Sequence, residues 1–418
     1  MSLLHAIIST ARMLKHTKHL AAGLPGDDEV LLDAPDDRLA PALVAAGQGE
    51  YGPAAALLAA TREQAAWENR DLYTRRLAAF ARSRPDWFER WLAGRPHDPD
   101  ARLVKAELAL GRAWDSPAYA ELLRDAGPLI SAAADGAPRD PVPWRLALDH
   151  ARGTHATRAV FDTLWEQATS RASHHYGCHT SAVQYLSAAW YGSHRESFDF
   201  AERAAEDALP GSLLHALPIR AALPYLTDPD PLPGRPGTNP LPPRHGTGLL
   251  PGLPGLTGTA ARQSRNGPDR TPGRSVPDMP PTGAGTPPGP AGPASLLGPE
   301  RLDAAADRAI ALSAAYPVGD PYPAEVRNLL TYVLIRLERW PEALDQLRMT
   351  GRQATSFPWD RLSDDPLGQF LELRDGIRLQ VAADTPLWAG RGAVGGPVRA
   401  GSDGGSGGGL RGGSGGGL

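Results

Sequence analysis

The stretch PAEVRNLLTYVLIRLERW (323–340) places Leu329, Leu330, Val333, Leu334 and Leu337 at helical spacing, and segments of this kind recur along most of the chain. Apolar residues three and four apart form one stripe on a helix, and that stripe must be buried against a neighbour. RPDWFERWLAGRP sets Trp87, Phe88 and Trp91 on one face. RDPVPWRLALDHARG does the same with Trp144, Ala147, Leu148 and Ala151, and ATRAVFDTLWEQATSRA with Val160, Phe161, Leu164, Trp165 and Ala168. No strand alternation of convincing length interrupts the series. A run of short helices joined by tight turns buries such stripes by stacking pair upon pair. The expected fold is therefore all-α, a tetratricopeptide-like helical repeat of α-solenoid-like character.

Two segments depart from this pattern. Residues 227–298 hold 18 Pro and 14 Gly, and residues 389–418 hold 15 Gly, ending in two copies of GGSGGGL. Such composition buries too little apolar surface to offset the entropy of ordering. Both are expected to be disordered, the first as an insertion and the second as a tail. The expected divisions are a basic amphipathic helix over 1–22, a helical-repeat domain over 37–226, the insertion over 227–298, a continuation of the same domain over 299–388, and the tail.

Composition narrows the function classes. A net charge of −4 argues against a nucleic-acid partner, and a single cysteine among 418 residues excludes an intrachain disulfide framework. No apolar run reaches the roughly 18–20 residues that span a bilayer. The opening MSLLHAIISTARMLKHTKHL lacks the charge order and cleavage site of a signal peptide, so a cytoplasmic location is expected. That opening segment reads as a capping helix packed on the repeats. Lying on an anionic membrane surface is its alternative role.

Two patches, LIRLERWPEALDQL (334–347) and AAGQGEYGPAAALLAA (45–60), resemble the turn and second helix of a tetratricopeptide repeat, with Ala343, Leu344 and Leu347 in the packing positions. The spacing is not a clean 34-residue period. Residues 181–205, with Trp-x-Gly-Ser-His before an aromatic helix, and residues 354–374 resemble an uncharacterised actinobacterial helical domain family of unknown function. That resemblance implies a fold and no activity.

Chemistry concentrates at HHYGCH (174–179), which holds three histidines and the lone cysteine. His175, Cys178, His179 and His194 form a candidate metal set, since thiolate and imidazole suit zinc. Cys178 is a candidate nucleophile if a base activates it. Against both stand Gly177, which weakens a helix there, and the absence of paired CxxC or HExxH. The segment is read as a loop between a helix ending near Ala172 and one starting near His179 or Thr180, with Gly177 at the bend. In WYGSHRE, Gly192 is expected to be left-handed, with Ser193 as a cap and Glu196 completing a capping box. A kink or break is expected at Gly127-Pro128. Asp-Pro at 98–99 and Asp364-Asp365-Pro366 read as helix starts, and the Gly283–Gly289 spacing, inside a Pro-rich coil, does not read as a nucleotide loop.

The resulting expectation is a non-enzymatic scaffold for a protein or peptide partner, with no cofactor, no resident metal and no catalytic constellation. His175, His179, Trp190, His194 and Arg195 are its candidate partner-binding residues. Alternatives are a metal protein or enzyme using the His/Cys cluster, or a peripheral membrane protein held by the first helix. Oligomeric state cannot be read from these residues.

Overall fold

Four turns of one design fold successive helices back on each other. In each, a left-handed residue, Gly49, Ala65, His155 or Glu338, follows the helix end. The next N–H then reaches back five residues, from Glu50 to Ala45, Ala66 to Thr61, Ala156 to Ala151 and Arg339 to Leu334, each at 2.9 Å. This closure satisfies carbonyls the helix end leaves open. Three of the four residues carry a side chain, although the left-handed region favours glycine.

The computed structural model describes residues 22–227 and 297–384. The expected N-terminal amphipathic helix, nearly all of the Pro/Gly insertion and the Gly-rich tail lie outside the described residues. The order is β1 (Leu31–Leu32), α1 (Leu39–Gly47), α2 (Gly52–Glu63), α3 (Trp67–Ser83), α4 (Asp86–Gly94), α5 (Pro99–Trp114), α6 (Tyr119–Gly136), α7 (Val142–Gly153) and α8 (Arg158–Arg171). There follow α9 (Tyr176–Tyr185), α10 (His194–Glu206), a short 3-10 turn, α11 (Leu217–Thr227), α12 (Pro299–Ala314), α13 (Ala324–Arg336), α14 (Trp340–Thr350), β2 (Gln353–Ala354), α15 (Ser356–Trp359) and α16 (Pro366–Asp384). Among the described residues the fold is all-α apart from one two-stranded parallel pairing, Leu31 with Gln353 and Leu32 with Ala354. Among the described residues no helix is long and apolar enough to cross a membrane.

Each helix packs on its sequence neighbour, and the odd-numbered helices also pack on one another. α3 touches α5, α5 touches α7, α7 touches α9, α9 touches α11, and α11 touches α13. Helix α13 is buried nearly all round: only Glu325 and Arg336 escape full burial. Trp87, Phe88 and Trp91 pack into one aromatic cluster with Tyr51, whose ring stacks on Trp91 at 6.2 Å. Residues on both sides of the insertion share one core, from Val183 and Leu217 through Leu330 to Phe370.

Several local expectations change. Helix α6 runs unbroken through Pro128. The proline removes the N–H that would meet the Arg124 carbonyl; the neighbouring Leu123 carbonyl receives a hydrogen bond from His150 Nε2 of α7 at 2.8 Å. Gly192 is not left-handed. Glycine is required there because a Cβ would stand 2.2 Å from the Leu186 carbonyl oxygen. Ser193 does cap α10, accepting the Glu196 N–H at 3.1 Å, whereas the Glu196 carboxylate turns to Arg158 at 3.0 Å. Asp98 and Asp365 cap α5 and α16 as expected. In α8 the buried residues are Phe161 and Ala168, while Val160 is exposed.

Candidate functional site

HHYGCH begins a helix instead of forming a bend. α9 starts at Tyr176, and His175 is its cap: Nδ1 accepts the Cys178 N–H at 3.3 Å, with the Cys178 sulfur 3.1 Å from the same nitrogen. With Nδ1 accepting, the ring N–H is Nε2. Nε2 points at Oε2 of Glu68, 3.8 Å away. Glycine at 177 fits the first turn because the Asp71 carboxylate fills the space a side chain would need.

Of the five candidate residues, His175 and His179 touch, and Trp190, His194 and Arg195 pack on other neighbours. His175 and His179 are buried. His179 bonds the His175 carbonyl at 3.0 Å and meets Trp165 edge-on at 4.9 Å. Trp190 lies on the far end of α9's connection, where the Arg152 guanidinium sits between the Trp114 and Trp190 rings at 4.7 and 5.0 Å. His194 packs on Tyr225 at 5.6 Å. Arg195 is exposed, 3.6 Å from Asp199. His175, Cys178, His179 and His194 do not assemble as one ligand set, and among the described residues no three His, Cys, Asp or Glu side chains do. Cys178 is fully buried, and burial pushes its thiol well above the usual range. That environment disfavours the thiolate a nucleophile needs.

The structure instead opens a cleft of about 420 Å³ lined by Glu68 and Tyr176, the neighbours of His175. Its walls come from distant parts of the chain: the segment Asp33–Leu39, the α3 residues Glu68, Asp71, Leu72, Tyr73, Arg75 and Arg76, then Tyr176, the residues Asp320–Val326 at the start of α13, and Gln353–Thr355. The β1–β2 pairing brings the first and last of these together.

The cleft wall is backed by paired charges. Asp71 meets Arg145 at 2.9 Å and Arg75 at 3.6 Å. Arg145 also bonds Glu107 and Asp149. Arg70 joins Asp140 at 2.5 Å and Asp100 at 2.6 Å, and Arg220 bonds Glu325. Burial alone raises a carboxylate pKa. For Asp71 the cations Arg145 and Arg75, with His175, outweigh burial and hold the carboxyl below its ordinary range. For Glu68 burial prevails over His175 and the Tyr176 N–H, and the carboxyl is pushed up. Perturbed groups of this sort, gathered in one cleft, mark a candidate site.

These cleft residues escaped the sequence reading. Arg70 shares the α3 stripe with Tyr73, Thr74, Leu77 and Ala81, all buried. Charged residues at stripe positions are the signal that could have found the network. No family model, no curated protein and no solved structure matches the chain.

Proposed function

We propose that the chain is a non-enzymatic, tetratricopeptide-like helical-repeat scaffold whose cleft holds a segment of a protein or peptide partner. The observation that carries this reading is the cleft itself, about 420 Å³ and walled by α3, α9, α13 and the β1–β2 strap. Its size falls within the roughly 300–1,000 Å³ of small binding sites. The repeated turns at Gly49, Ala65, His155 and Glu338 and the row of odd-numbered helices support the repeat reading, since stacked units generate extended grooves. The actinobacterial resemblance of 181–205 and 354–374 remains part of this proposal, and it brings no activity.

The test is selection from a displayed peptide library on the full chain, followed by affinity measurement against Ala34→Trp, which fills the cleft mouth. Selected peptides should bind the wild type and lose at least tenfold in affinity on the variant. Equal binding to both, or no selected peptide, overturns the reading.

A further inference from the structure

Half of the carboxylates that line the cleft are paired within the fold. Asp33 meets Arg76 at 2.7 Å, Asp71 meets Arg145 and Arg75, and Glu325 meets Arg220. The other three, Asp36, Glu68 and Asp320, accept from Tyr73 and the N–H groups of Leu39, Tyr176 and Tyr322. Among the described residues no Arg or Lys nitrogen lies within 4 Å of them. Of the lining guanidiniums, Arg75 and Arg76 are engaged, which leaves Arg38 alone to face all three. Behind the wall Arg145 and Arg152 are matched by Glu107 and Asp149, so Arg220 is the one added positive charge. The cleft stays acidic. Between these acids the lining is apolar, with Ala34, Pro35, Leu72, Leu213 and Pro321. Tyr176 lines it too, is 7% exposed, and its hydroxyl has no partner within hydrogen-bond distance.

The chain carries a complement to such a lining. Residues 1–21, outside the described residues, hold Arg12, Lys15 and Lys18 and no acid. The same segment places Leu3, Leu4, Ile7 and Ile8 at helical spacing. It joins the fold beside the cleft. The Ala22 carbonyl accepts from Arg348 Nε at 3.2 Å, and Arg348 stands five positions before Gln353, which lines the cleft. Five residues of chain span at most roughly 18 Å, whereas twenty-one span up to about 70 Å. The segment therefore has length to spare.

We propose that residues 1–21 dock in this cleft in cis, their cations beside Asp36, Glu68 and Asp320 and their apolar residues on its walls, so that a partner peptide binds by displacing the chain's own segment. This rests on the reading of the cleft as a peptide site. A tethered segment competes at an effective concentration on the order of millimolar. Docking thus weakens a partner's apparent affinity.

The test is carbodiimide cross-linking of the full chain, read by mass spectrometry. The reagent joins a lysine amine to a carboxylate in contact with it, and the chain has three lysines, Lys15, Lys18 and Lys105. Lys15 or Lys18 should join Asp36, Glu68 or Asp320 within one molecule, in a yield that dilution leaves unchanged. Arg12→Glu, which keeps both amines, should lower that yield. Arg12→Glu, Lys15→Glu and Lys18→Glu together should raise the affinity for a library-selected peptide at least tenfold. Links confined to Asp27, Asp28 and Glu29, links lost on dilution, or equal peptide affinity in wild type and triple variant overturn the docking and leave the peptide reading standing. Links at the cleft, with no peptide selected by either protein, keep the docking and overturn the peptide reading. A chain that shows no cleft links and floats with phosphatidylserine vesicles assigns the segment to a membrane surface and overturns the docking.

Discussion

A Cβ on Gly177 would stand 2.5 Å from Oδ2 of Asp71 and 3.0 Å from Cε1 of His175. Asp71 cannot withdraw, because Arg145 grips its other oxygen at 2.9 Å. Overpacking at a rigid contact costs roughly 1–3 kcal/mol. Gly177→Ala is therefore expected to destabilise the fold by about 2 kcal/mol, measured by urea unfolding. An unchanged midpoint would show that the Asp71–Arg145 pair yields easily.

His179 gives a pH signature. Burial holds its imidazole at about 4, whereas the unfolded chain titrates near the ordinary value of about 6.5. Between those values the unfolded state binds more protons, so stability is full above the higher value and falls as pH drops toward the lower. The loss from pH 7 to pH 5 amounts to about 2 kcal/mol. His179→Gln should flatten that part of the stability profile. An identical profile in wild type and variant would contradict the buried, neutral ring.

The left-handed turns offer a gain. Ala65 and Glu338 have φ of 51° and 59°, a region where a Cβ is unfavourable by roughly 1–2 kcal/mol. Ala65→Gly and Glu338→Gly should each raise stability by up to about 1 kcal/mol, read from the denaturation midpoint. A loss at both positions would argue that these side chains make contacts worth more than the strain.

Arg327 is buried without a carboxylate in contact. Its guanidinium donates to the carbonyls of Ser313, Tyr316, Pro317 and Met349, each at 2.9 Å, and to Ser313 Oγ at 3.0 Å. It thereby closes the C-terminal ends of α12 and α14. Lysine carries fewer donors and no planar fork. Arg327→Lys should lose about 3 kcal/mol, because buried carbonyls are left unpaired. Differential scanning calorimetry would show it as a lower melting temperature. A melting temperature equal to wild type would mean that water replaces the missing donors.

Several features decided by local chemistry were legible in the sequence, whereas the His175 cap on the Cys178 N–H was not. Asp98, Ser193 and Asp365 act on N–H groups two or three residues away, and the Trp87–Trp91 stripe lies within one helix. Features decided by distant neighbours were not. Gly177 is constrained by the Asp71 carboxylate, and the Leu123 carbonyl of α6 is bonded by His150 of α7. The cleft was hidden for the same reason. Arg145 reaches Asp71 across 74 positions and Arg220 reaches Glu325 across 105, and no periodicity encodes such pairings. HHYGCH drew attention through its residue types, while the cleft beside it is built by residues that look ordinary in sequence.

The strap that pairs Leu31 with Gln353 also has a temporal meaning. Asp33 bonds Ser356 across 323 positions of chain. During synthesis the segment around Asp33 must wait, unpaired, until nearly every helix has been made. Contacts of such long sequence separation form late and slowly. The cleft, whose lining includes both Asp33 and Thr355, therefore forms only as the last helices emerge, and a nascent or prematurely ended chain stacks its early helices without acquiring that cleft.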